Sequence, residues 1–272
     1  EMSASLVGSE MCIRDSLNMI PKKIHYVWLG GGKQTPSVTK CINSWRKVMP
    51  DYEIKCWSEN NFDIDSVPWV KEAIEHCKWS LASDYIRHYA IYTEGGIYMD
   101  TDVMVYKSFD EFLNNGFFTS VEFHPALFEA HGKKDINKDG VPLKEGNEVC
   151  GLGMLAALFG AEKGNPFIKE CMDFFGTRHF VGEDGGLFMD LINPSVMPML
   201  AVKHGFRYID KEQIISNGIH IYPSWVFAGN SATRRVDSYS MHFCDSSWRD
   251  YSFPRKIKRW LVTHYPALFR KM

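Results

Sequence analysis

Gly95-Gly96-Ile97-Tyr98-Met99-Asp100-Thr101-Asp102 is the stretch whose reading decides the fold. Before it, Trp79 to Glu94 has the periodicity of a helix: Leu81, Tyr85 and Tyr89 recur at i, i+4, and Ala82, Ile86 and Ala90 lie beside them. The two glycines are a stop signal. Ile97 to Met99 then reads as a short strand that runs into two carboxylates one residue apart. On a continuing strand, residues i and i+2 face the same way, so Asp100 and Asp102 can both point at one divalent cation, the alternative being an exposed pair at a surface turn. Carboxylate oxygens favour Mn²⁺ or Mg²⁺ over zinc. A helix, a tight stop and a strand ending in acids is the local pattern of an α/β sheet that binds ligand at the carboxyl ends of its strands.

Working outward, Lys23 to Leu29 (KIHYVWL) is a β-branched and aromatic run ending in Gly30-Gly31-Gly32, and reads as a buried strand. Ser37 or Thr39 is expected to cap a helix through about Val48, and Tyr52 to Trp57 alternates like a second strand. A short helix is expected near Trp69 to His76. Val103 to Tyr106 should continue extended, and Phe117 to Phe123 should be a strand. The polar segment from Glu129 to Glu148 reads as an exposed, mobile loop. Asp135, Asn137 and Asp139 within it lack the glutamate that would complete a calcium loop. After it, CGLGMLAALFGA (150–161) reads as a strand, and Pro166 to Phe175 and Pro194 to Gly205 as helices. Cys150-Gly151-Leu152-Gly153-Met154 lacks the third glycine of a dinucleotide fingerprint. P-loop, G-x-S-x-G and H-E-x-x-H patterns are absent from the sequence.

The 272 residues are 45% hydrophobic and 24% charged, which suits a globular core and excludes a disordered or collagen-like chain. Thirty-one Lys and Arg against thirty-three Asp and Glu give a net charge of −2 and no global reason to bind nucleic acid. The seven scattered cysteines form no C-x-x-C pair and read as reduced thiols in a cytoplasmic protein. Residues 1–18 read as a non-native or disordered leader: SLVGSEMCIRDS resembles a translated adapter artefact, making Met19 the expected native start. Six basic residues and no acid follow Pro254, and residues 251–272 read as a basic amphipathic tail. Such a tail suits either peripheral contact with an anionic membrane at its inner face or a packed terminal helix with a solvated basic side.

IPKKIHYVWLGG (20–31), SLASDYIRHYAIYTEGGIYMDTDV (80–103), GAEKGNPFIKE (160–170) and MHFCDSSW (241–248) together resemble the sugar-transferases of glycosyltransferase family 32. That family holds bacterial capsule and lipopolysaccharide enzymes and fungal initiating mannosyltransferases, and is distantly similar to clostridial glucosylating toxins. The resemblance implies an α/β GT-A fold, a Rossmann-like mixed sheet flanked by helices in a single domain over 19–250. It also implies metal-dependent, retaining transfer of a hexosyl residue from a nucleotide diphosphate sugar to a glycan or lipid-linked acceptor in surface polysaccharide synthesis. The alternatives are an inactive nucleotide-sugar or glycan-binding module and a protein-glycosylating effector.

The resemblance also assigns residues. Asp102 would be the direct metal ligand, with Asp100 helping to hold the cation and touching the donor. Asp84 and Arg87, three apart on one helical face, match the family's S-D-x-x-R element: Asp84 would accept from donor sugar hydroxyls and Arg87 would engage sugar or phosphate with its planar fork, the alternative being an ordinary intrahelical ion pair. Trp28 would stack on the nucleobase, the alternative being a core tryptophan, and Tyr98 would touch the donor or pack. His242 would be a third metal ligand or a donor to phosphate, while Ser246 and Trp248 would close over the diphosphate. Glu183 and Asp184, in a glycine-flexible loop, are either acceptor-side contacts or a solvated turn.

Overall fold

The computed structural model describes residues 19–146, 148–188 and 192–244. Among the described residues ten strands are seen: β1 (Lys23–Val27), β2 (Glu53–Trp57), β3 (Gly96–Met99), β4 (Val103–Val105), β5 (Phe117–Phe123), β6 (Leu152–Met154), β7 (Leu158–Ala161), β8 (Gln213–Ile215), β9 (Ile219–Tyr222) and β10 (Ser240–His242). The longer helices are α1 (Pro36–Val48), α2 (Pro68–Glu75), α3 (Trp79–Glu94), α4 (Pro166–Gly176) and α5 (Asn193–Ala201). The main sheet runs β2-β1-β3-β7-β5-β9-β8, with β6 paired to β5. β2, β1 and β3 are parallel, β7 runs against both its neighbours, and β5 and β9 are parallel again. This is the mixed, helix-flanked α/β sheet expected from the sequence.

Strand alternation divides the core into two faces. Ile97 and Met99 of β3 and Phe118 of β5 enter one cluster, which α1 completes through Ile42 and Trp45. Tyr98, Phe117 and Phe159 enter the other, closed by Phe167 and Ile168 of α4 and Met197 of α5. A third cluster joins α2, α3 and α4 around the fully buried Trp69. Buried indoles are tied as well as packed: Trp45 Nε1 donates to the Val103 carbonyl at 2.7 Å, clamping α1 to the strand that follows the two aspartates.

Gly95 and Gly96 have φ of +69° and +112°, where only glycine is unstrained. A Cβ on Gly96 would lie 2.5 Å from the Lys23 carbonyl oxygen and 3.1 Å from His25 Nε2. His25 is fully buried in β1, and its Nε2–H donates to the Gly95 carbonyl at 2.9 Å while Nδ1 accepts from Trp57 Nε1 at 2.9 Å. Burial lowers its pKa to about 4, so it stays neutral and fastens three segments together.

Several expectations shift. The cap of α1 is Thr35, whose side chain accepts from Val38 N–H with Pro36 in the first helical turn, rather than Ser37 or Thr39. The 150–161 run is two strands, because Leu152–Met154 pair with Val121–Phe123 of β5 while Leu158–Ala161 pair with β3 and, in a shifted register, with Phe117 and Phe118 of β5. Within 129–148, short helical turns over Phe128–Gly132 and Lys133–Asp135 and a bridge from Ile136 to Pro142 replace a structureless loop. β8, β9 and β10 carry no counterpart in the sequence reading. No helix among the described residues is long and apolar enough to cross a membrane.

Candidate active site

The two aspartates do not sit on a continuing strand. β3 stops at Met99, and a turn closed by Val103 N–H on the Asp100 carbonyl at 3.0 Å carries the chain into β4. What brings the acids together is tertiary. β10 pairs with β4 so that His242 lies opposite Val103, and Phe243 N–H donates to the Asp102 carbonyl at 3.1 Å. His242 Nε2 then stands 3.2 Å from Asp102 Oδ1. One ligand atom each from Asp100, Asp102 and His242 fall within 4.8 Å of one another. Two carboxylates and one imidazole form a donor set that fits Mn²⁺ or Mg²⁺ better than a thiolate-seeking metal. Burial works against a charged His242, but Asp102, with Cys244 behind it, outweighs burial and holds its pKa well above the ordinary value.

Beside this cluster lies a buried ion pair. Asp84 and Arg87 share a face of α3, with Arg87 Nη2 3.2 Å from Asp84 Oδ1 and both side chains nearly sealed from solvent. Arg87 is committed on every side: Nε to the Ser83 carbonyl, Nη1 to the Ala156 carbonyl at 2.9 Å, Nη2 to Ser83 Oγ at 2.9 Å, and an ion pair with Asp100 at 3.5 Å. Its guanidinium also lies over the Tyr98 ring, 4.7 Å from the centroid. The planar fork, expected to engage sugar or phosphate, here brackets Asp84 and Asp100. Asp84 Oδ2 accepts from Asn193 N–H at 3.2 Å, which ties the start of α5 to α3. Burial pushes the Asp84 carboxyl up to about 6 against the pull of Arg87.

Tyr98 is buried in β3, and its hydroxyl donates to Asp100 Oδ1 at 2.7 Å, so it aims an acid rather than facing a ligand. Burial raises its own pKa well above the usual phenol value. Trp28 is half-buried against the core at the end of β1, its Nε1 donating to the Gly32 carbonyl at 2.7 Å. Glu183 and Asp184 are exposed, and Asp184 closes its own turn by accepting from Gly186 N–H. Ser246, Trp248 and the basic tail lie outside the described residues. Ala156 and Asn193 enter the site without any sequence signal, because each acts through a backbone group, whereas Ser83 and Cys244 lie inside the quoted motifs but had no role assigned to them.

Residues 35–118 match the family model described as a glycosyltransferase sugar-binding region containing a DXD motif. Over this stretch the chain is similar to the DXD glycosyltransferases. The matched region runs from the cap of α1 to the start of β5, and holds Asp84, Arg87, Asp100 and Asp102. An uncharacterized glycosyltransferase, L373, of Acanthamoeba polyphaga mimivirus is 29% identical over 110 residues, 37% of this chain and 42% of that protein. Inositol phosphoceramide mannosyltransferase 3 of Schizosaccharomyces pombe is 28% identical over 102 residues, 35% of this chain and 28% of that one. The chain spans less than half the length of the curated relatives it matches. Among solved structures, the galactosyltransferase LgtC in complex with donor and acceptor sugar analogues aligns at 13% identity with a TM-score of 0.48, covering 91% of this chain and 95% of that one.

Proposed function

We propose that the chain is a metal-dependent glycosyltransferase of GT-A type that moves a hexosyl residue, with retention, from a nucleotide diphosphate sugar to a glycan or lipid-linked acceptor in surface polysaccharide synthesis. The observation that carries this reading is the convergence of Asp100, Asp102 and His242 beside the buried Asp84–Arg87 pair at the end of β3. A divalent cation held there would offset the charge that grows on a departing diphosphate. Asp102 and His242 would hold it, with Asp100 completing the set. Tyr98 and Arg87 fix the direction of Asp100, and Asp84, held by Asn193 N–H, steadies Arg87, so Asp100 is pre-aimed and needs little reorganisation when the donor arrives. In a retaining transfer the acceptor proton can pass to the leaving phosphate oxygen on the same face of the sugar, so no dedicated base is required.

The test is donor turnover by the purified chain against UDP- and GDP-sugars with Mn²⁺ or Mg²⁺, beside Asp102→Ala. Turnover should need the cation and fall about 100-fold or more in the variant, with its melting midpoint within a few degrees of the parent. Turnover that survives chelation, or persists in Asp102→Ala, would exclude this reading.

A further inference from the structure

A cavity of about 170 Å³ opens where β5 ends and β6 begins, roofed by the start of α5. Glu122, His124, Glu148, Ser195 and Tyr208 supply its polar wall, and Val149, Leu152 and Pro198 are among its apolar lining residues. It touches the acidic cluster from two directions. Glu122 stands opposite Gly153 in the β5–β6 ladder, and one of its carboxylate oxygens lies within 4.8 Å of ligand atoms of both His242 and Cys244. From the other direction, Ser195 is two residues from Asn193, whose N–H binds Asp84. The space therefore adjoins the place where a donor sugar would react.

Two features say what fits. The Tyr208 side chain is buried, 1% exposed, and its hydroxyl has no hydrogen-bond partner among the described residues. Native proteins rarely leave such a group unpaired, and a ligand hydroxyl would satisfy it. Glu122 accepts from His124 Nε2–H at 3.0 Å, which orients the carboxylate and leaves it a second oxygen to offer. The lining includes no Lys or Arg beside the two glutamates, so an anionic ligand would meet repulsion and no counter-charge. A drug-sized ligand fills about 300 Å³ or more, so this volume suits a single ring.

We propose that this cavity is the subsite for a neutral terminal sugar of the acceptor, with Glu122 and Tyr208 as its hydrogen-bonding residues. The assignment to an acceptor rests on the transferase reading above. It differs from the donor site in every residue it uses.

Saturation-transfer NMR on the full chain tests it, with methyl α-mannopyranoside, methyl β-galactopyranoside and methyl β-glucuronopyranoside as probes at about 10 mM, above the millimolar range expected for a single ring. At least one neutral glycoside should show transfer and the uronic acid should show none. Tyr208→Phe, which keeps the ring, and Glu122→Gln should each raise the Kd read from a titration of the transfer signal about fivefold, the worth of one hydrogen bond, with unchanged melting midpoints. Asp102→Asn should retain the parent Kd. No transfer to either neutral probe in the parent, an unchanged Kd in both cavity variants, or equal binding of the uronic acid would overturn the proposal. The transferase reading fails separately, through absence of metal-dependent donor turnover in the parent.

Discussion

Gly96→Ala probes whether the close approach of β1 and β3 sets the site. Gly96 has a φ of +112°, and an added Cβ would press against the Lys23 carbonyl oxygen at 2.5 Å and His25 Nε2 at 3.1 Å. The Lys23 oxygen is backbone within a parallel ladder and His25 is fastened at both ring nitrogens, so neither can yield cheaply. Backbone strain costs about 1 to 3 kcal/mol and forced overpacking a similar amount, together roughly 2 to 6 kcal/mol. At about 2 to 4 °C per kcal/mol for a domain of this size, a mid-range cost of about 4 kcal/mol should lower the melting midpoint by about 8 to 16 °C. Gly164→Ala is the matched control: its φ is +76°, but nothing lies within 4 Å of the new Cβ, so only the conformational cost of roughly 1 to 2 kcal/mol applies. Thermal unfolding followed by circular dichroism compares the two. A Gly96→Ala protein that melts no lower than Gly164→Ala would refute the packing argument.

Asp84→Asn addresses the buried pair. The Asp84 carboxyl is raised from 3.8 to about 6, so the folded state holds its proton more tightly than the unfolded chain does. The resulting advantage is full below pH 3.8 and is lost as pH rises through about 6, a change of roughly 3 kcal/mol. Asparagine does not ionise, so urea midpoints measured between about pH 4 and about pH 7.5 should decline less in the variant than in the parent, and parallel declines would count against the assignment. Asn165→Ala removes the cap that accepts from Phe167 and Ile168 N–H and the amide that donates to the Gly116 carbonyl. It should cost about 1 to 2 kcal/mol in chemical denaturation with the metal requirement of donor turnover unchanged.

The helix and strand around the two aspartates were legible because a sixteen-residue helix repeats its pattern several times and glycines punctuate it. β8 and β10 were not, since three residues give no period to read, and burial of β9 follows from neighbours over a hundred residues away. The 150–161 segment read as one strand because uniformly apolar residues look alike whether or not their N–H groups stay in one ladder. Asp84, Arg87, Tyr98, Asp100, Asp102 and His242 were all named from motif positions, and the structure gathers them. Their division of labour was hidden. The direction of the Arg87 fork depends on the Ala156 carbonyl, 69 residues away, and no spacing rule reports that.

Burial separates the acids by what each can reach. The Asp100 side chain is 29% exposed, against 12% for Asp102 and 5% for Asp84. A ligand approaching this cluster meets Asp100 first, while Asp84 already accepts from Asn193 N–H and pairs with Arg87. For Asp84 to receive a sugar hydroxyl directly, the start of α5 would have to move aside. In the observed arrangement Asp84 acts instead through Arg87, holding the guanidinium that in turn fixes Asp100. Loss of the Asp84 charge should then disturb the aim of Asp100, a defect in turnover, whereas loss of a direct sugar contact would weaken donor binding. A donor titration of Asp84→Asn separates the two: a lower kcat at unchanged KM follows from the scaffold role, and a raised KM at unchanged kcat from direct contact.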